Sequence, residues 1–141
     1  MELDRNNVVA RMLILIPEVT LTPSYEEEKK LWEEESSTSL HNFLGIVLGL
    51  YMVDLLRQKN ASEDVLKRIF AFLEEISFSK DDYLINVLNV SLLEDLINNE
   101  PVVLEQALRY MEPNTKKMTY EMQEYLKKLA ESAKKRVKNK P

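Results

Sequence analysis

The chain has 141 residues, 45% of them apolar and 30% charged, which is the mix of a globular protein long enough to bury a core of its own. It contains no cysteine, which excludes disulfides, thiolate catalysis and cysteine-bound zinc and fits a reducing compartment. The net charge of −5 hides a division: residues 113–141 carry nine Lys/Arg against three Glu, a balance of +6, while residues 1–112 carry ten against twenty-one, a balance of −11. An acidic body repels nucleic acid and attracts basic proteins.

The chain opens without a secretory pattern. Glu2 and Asp4 stand where a positive segment belongs, and Pro17-Glu18 follow the short run MLILI with no small-residue cleavage site. The longest apolar run, Phe43 to Val53, ends at Asp54, short of the ~20 residues of a spanning helix, so no membrane segment is expected and the location is read as cytoplasmic. A first helix is predicted from about Asn7 to Ile16, stopped by Pro17. A second, from Ser24 to about Glu35, opens on Thr22-Pro23 and reads YEEEKKLWEEE. Only Tyr25, Leu31 and Trp32 can anchor it, so it should be the least stable. After SSTS comes a long apolar helix, Leu40 to about Arg57, with Gly45 and Gly49 on one face where another helix could approach. Ser62 caps the next, to about Ser77, with Val65, Leu66, Ile69, Phe70, Phe72, Leu73 and Ile76 on one side and Lys67, Arg68, Glu74 and Glu75 on the other.

Residues 83–97, YLINVLNVSLLEDLI, behave differently. Stepped at about 100° per residue, their apolar side chains leave no polar arc, and Asn89 falls among leucines where it would need a buried partner. A helix apolar all round has neighbours all round, so this one, at about 81–98, is expected to be central. Asn98-Asn99-Glu100-Pro101 ends it and starts another, to about Met111. The last helix, Thr115 to about Lys138, repeats Met118, Met122, Tyr125, Leu129 and Ala133 at helical spacing.

No hairpin signal or alternating segment occurs, so the expected fold is all-α: six to seven helices in a compact bundle or a short stacked helix-pair array around the 81–98 helix. One domain, 1–141, should comprise weaker N-terminal helices (1–38), a core (39–111), a basic C-terminal helix (112–138) and a frayed end (139–141).

The stretch DYLINVLNVSLLEDL, Asp82 to Leu96, resembles a family of small all-helical bacterial proteins in which a charged turn precedes an Asn- or Val-rich helix. Val90, Ser91, Leu92, Leu93, Glu94 and Leu96 carry the match, and the amphipathic helix Val65 to Ile76 precedes it as in that family. The resemblance covers residues 40–111. It implies a shared helical fold, and some relatives look like immunity proteins of bacterial toxin systems.

Chemistry-bearing patterns are few. His41 is the single histidine, and no G-x-S-x-G or Glu-x-x-His motif accompanies it. Consecutive carboxylates, as in Glu26-Glu27-Glu28, point in different directions on a helix and do not make a metal site. No catalytic residue, metal or cofactor is therefore expected. The expected function is a non-enzymatic binding module for a basic protein, in its sharpest form an immunity protein covering a cationic toxin domain, with Glu27, Glu28, Trp32, Glu34, Glu35, Asp81 and Asp82 as the partner-binding set. The alternative is an accessory nucleic-acid binder using the basic last helix.

Overall fold

The computed structural model describes residues 2–34 and 38–138. Seven α-helices and no strand occur among the described residues. They are α1 (Val8–Leu15), α2 (Tyr25–Glu33), α3 (Leu40–Arg57), α4 (Glu63–Ser77), α5 (82–97), α6 (Pro101–Tyr110) and α7 (Pro113–Lys138). A 3₁₀ turn, Pro17–Leu21, follows α1. The arrangement is a compact bundle, and one continuous core runs from Leu3 to Met111.

The boundaries follow local chemistry. Ser39 accepts from the Asn42 N–H and Ser62 from the Val65 N–H, each satisfying a donor left over at a helix start. Pro101 and Pro113 occupy first-turn positions where the missing N–H costs nothing. The last helix thus begins two residues before the expected Thr115. Its N-terminus is held by Glu74 of α4, whose carboxylate accepts from the Asn114 N–H at 3.0 Å, the Thr115 N–H at 2.7 Å and the Thr115 hydroxyl at 2.7 Å. Burial pushes the Glu74 carboxyl up, but these hydrogen bonds outweigh it and hold the group below its usual range.

Helix α5 is central, packing against α3, α4, α6 and α7. Leu84, Val87, Leu88, Leu92, Leu93 and Leu96 are fully enclosed. It is not dry all round, however. Asn86, Val90 and Asp95 are exposed, and Asn89 is half-buried on the wall of a concavity shared with α7. The reason is a π-helical turn over Leu88–Leu93, which adds a residue to the turn and shifts the phase of everything after it. A uniform wheel therefore spreads two stripes into a full circle. A second π turn, Gly45–Gly49 in α3, faces the first. A Cβ on Gly45 would lie 3.7 Å from the Ser91 carbonyl oxygen, and one on Gly49 would lie 3.6 Å from Leu92 Cδ2. These are ordinary contact distances, so the crossing needs small residues but has room for alanine.

The polar side of α4 is spent on the rest of the molecule. Arg68 grips Glu18 with both terminal nitrogens, donates to the Leu15 carbonyl at 2.9 Å and pairs with Asp64. Glu75 pairs with Arg11 at 3.0 Å. These bonds bring α1 and the 3₁₀ turn onto α4. Helix α3 is also the one helix among the described residues long and apolar enough to cross a membrane, with mean hydropathy 1.3 over 18 residues; in this fold it packs against α2, α4, α5 and α6.

Candidate functional site

The acidic residues singled out in the sequence divide into two groups with different fates. In α2, Glu26, Glu27 and Glu28 form the first turn, where negative charge meets the positive end of the helix. Glu26 and Glu27 are exposed and Glu28 is half-buried. Trp32 turns inward, its ring 5.0 Å from that of Phe43, and Tyr25 is buried. The two aromatics thus dock α2 on α3 and leave its carboxylates outside. Glu34 is exposed just beyond the helix end; Glu35 lies outside the described residues.

Asp81 has a different occupation. It caps α5 by accepting from the Tyr83 N–H at 3.1 Å. It also receives the Arg5 backbone N–H at 2.9 Å and the Arg5 guanidinium at 3.0 and 2.7 Å. Arg5 lies over the Tyr83 ring, 4.6 Å from its centre. The Arg5 guanidinium and these N–H groups hold the Asp81 carboxyl well below the usual range. Its side chain is tied to the N-terminal segment, while its neighbour Asp82 is exposed.

The structure gives His41 a partner that lies 50 residues away in the chain. His41 Nδ1 and Ser91 Oγ share a 2.6 Å hydrogen bond, Nε2 lies 3.5 Å from Asn86 Nδ2, and the Tyr83 ring meets the imidazole edge-on. A nucleophilic serine needs, besides a base, a cleft for the substrate and donors for the oxyanion. Ser91 sits inside the π turn where α3 and α5 cross, and the five concavities described in the fold are lined by other residues. The pair acts as a polar staple between two helices. Among the described residues no group of three or more His, Asp and Glu is placed to hold a metal ion.

The surface feature that sequence reading missed is an apolar groove between the 3₁₀ turn and α3. It has a volume of about 530 Å³, with Leu21, Pro23, Ile46, Leu50 and Tyr51 as its main apolar walls. Leu21 is 84% exposed and Leu50 57%. The only charged residues on the lining are Glu18 and Asp54. Arg68 lowers the Glu18 carboxyl to about 2, so it is anionic at any ordinary pH, while its charge is matched by that arginine. Burial raises the Tyr51 phenol, which stays neutral. Ser24, on the rim, is the N-cap of α2, so the groove runs into the helix that carries Glu26, Glu27 and Glu28. The chemistry offered is an apolar slot bordered by carboxylates. A different concavity, about 450 Å³, is bordered by Lys59, Lys67 and Arg109 with Glu63, around the ends of α3 and α6.

The profile of the family described as a domain of unknown function, DUF7674, matches residues 9–132, and the chain belongs to that family. No curated protein and no solved structure matches. The match reaches into all seven helices, so the family's shared unit includes the groove and the basic helix as far as residue 132.

Proposed function

We propose that this member of the DUF7674 family is a non-enzymatic binding module whose groove between the 3₁₀ turn and α3 takes a basic, amphipathic segment of a partner protein. The observation that carries the reading is the exposure of Leu21 and Leu50 in a slot whose two charged lining residues are carboxylates, Asp54 and the Arg68-paired Glu18. An amphipathic helix lays apolar side chains at i, i+3 or i+4 and i+7 into such a groove, and its flanking lysines or arginines meet carboxylates at the rim. The exposed carboxylates of α2, among them Glu27, would raise the encounter rate, and the effect would weaken with salt. In its sharpest form the partner is a cationic toxin domain covered by the acidic surface, a form suggested by the resemblance of residues 40–111 to a helical family some of whose members look like immunity proteins. Within the expected partner-binding set, Asp81 is committed to Arg5 and Trp32 to Phe43, while Glu27, Glu34 and Asp82 are exposed and Glu28 is half-buried.

The test is a titration of the full chain with a labelled synthetic Lys/Leu amphipathic helix, read by fluorescence anisotropy, with a Glu/Leu helix of the same pattern as control. Saturable binding of the basic peptide alone, weakened at least ~10-fold in the double variant Leu21→Asp/Leu50→Asp, supports the reading. Equal binding of both peptides, or unchanged binding by the variant, removes it.

A further inference from the structure

The last helix outruns the body it packs on. Its first half rests on α4 and α5, yet every residue from 127 to 138 is exposed. That segment spans about 18 Å at 1.5 Å per residue. It carries six Lys/Arg and one Glu. Its apolar residues continue the pattern that packs the first half. Met118, Met122, Tyr125, Leu126, Leu129, Ala133 and Val137 fall within about 120° of one another around the axis. Met118, Met122 and Leu126 are half-buried, but Tyr125, Leu129 and Val137 are 58%, 49% and 71% exposed. Isolated surface leucines need no explanation. A stripe held in phase along a projecting helix, with Arg136 set among its apolar residues and the lysines on the opposite side, has the form of an interaction surface.

The molecule carries the complement of that surface. The stripe is apolar with Arg136 in it on a segment that is cationic as a whole, and the groove at Leu21 and Leu50 is apolar with Asp54 and the Arg68-paired Glu18 as its charged lining. No residue of α7 lines the groove, and α7 is one unbroken helix anchored on α4 and α5, so its own tail does not occupy it. An anionic bilayer or a nucleic acid would attract the tail and repel the body, which carries a balance of −11 over residues 1–112. A second copy offers opposite charge and an apolar slot together. We infer that the projecting half of α7, residues 127–138, docks in the acidic apolar groove of a second copy of this chain. The contact is head-to-tail, so an open assembly keeps one unused groove at one end and one unused tail at the other unless a ring closes. The inference rests on the groove reading above and adds regulation to it: a neighbour's tail competes with the foreign segment for one slot.

Complementation between full-length variants tests this. The tail variant Leu129→Asp/Val137→Asp keeps its groove, and the groove variant Leu21→Asp/Leu50→Asp keeps its tail. All four positions are exposed, so both variants should retain the helical circular dichroism of the parent. By sedimentation velocity, the parent should form species larger than 16.5 kDa as concentration rises through ~100 µM, at least ~10-fold more weakly at 0.5 M salt than at 0.05 M. Each variant alone should remain at 16.5 kDa, and their mixture should form a pair of twice that mass and nothing larger. A parent that stays monomeric, variants that still self-associate, or a mixture that fails to pair overturns the inference. So does a monomeric parent whose retention by duplex DNA is lost in the tail variant, because the tail then serves phosphate. A parent that is monomeric yet binds the Lys/Leu helix in its groove loses only this inference; failure of both assays removes the groove reading as well.

Discussion

Helices α2 and α4 both carry runs of glutamate, and their carboxylates do opposite things. On α4, Glu74 caps α7 and Glu75 holds Arg11, so both are internal fasteners. On α2, Glu26 and Glu27 point to solvent because the inward side is filled by Tyr25 and Trp32. The difference teaches that an acidic cluster becomes a candidate interface only after the cations and N–H groups of the fold have taken their share. Asp81 makes the same point: it stands in an acidic pair, but Arg5 and the start of α5 use it.

That contrast can be attacked by substitution. The largest effect should come from the core both regions lean on: Leu92→Ala, at a fully enclosed position, should cost about 2–5 kcal/mol by urea denaturation, against less than about 0.5 kcal/mol for Leu50→Ala in the groove. Near-equal losses would mean that Leu50 is packed after all. Next, Glu74→Gln should destabilise by about 1–3 kcal/mol, since the amide cannot replace a carboxylate that accepts three hydrogen bonds at a helix start. The pH dependence follows from the same asymmetry. Glu18, Glu74 and Asp81 are all depressed in the folded state. Their stabilisation is complete above the ordinary carboxylate range near 4 and is lost as pH falls toward 2, where Glu18 protonates. The melting temperature should therefore be flat above about pH 5 and fall steeply below 4, and Glu74→Gln should flatten part of that fall. A smaller gain is expected at the crossing of the π turns: Gly49→Ala should stabilise by up to about 1 kcal/mol, because its Cβ meets Leu92 at 3.6 Å and alanine favours helix. A loss of similar size would mean that the helices approach more closely. Smallest of all, Glu26→Lys/Glu27→Lys should leave the melting temperature almost unchanged while slowing association with a basic peptide at low salt.

Much of the architecture was legible because the signals are local. Ser62 with Glu63-Asp64 marks α4, Pro101 marks α6, and the charge-free run after Leu40 marks α3. Gly45 and Gly49 mark a face that another helix can approach, and α5 is the helix that crosses there. What escaped depends on phase and distance. No residue type announces a π turn, so the wheel of 83–97 hid the exposed edge at Asn86 and Val90. The His41–Ser91 bond joins positions 50 apart and needs the register of two packed helices. The groove at Leu21 and Leu50 escaped because composition cannot tell an apolar side chain facing inward from one lining a groove. The signal that could have moved Asp81 from surface to structure was present: an aspartate directly before a helical run is an N-cap pattern.

The most direct measurement of the central claim is where a basic amphipathic helix lands. Two-dimensional NMR of the ¹⁵N- and methyl-labelled full chain, titrated with the Lys/Leu peptide, should move the signals of Leu21, Thr22, Ile46, Leu50 and Tyr51 first and most, with Glu26 and Glu27 following. Shifts concentrated instead around Lys59, Lys67 and Arg109, or spread evenly over the surface with no saturation, would contradict an acidic apolar groove as the place where this protein binds.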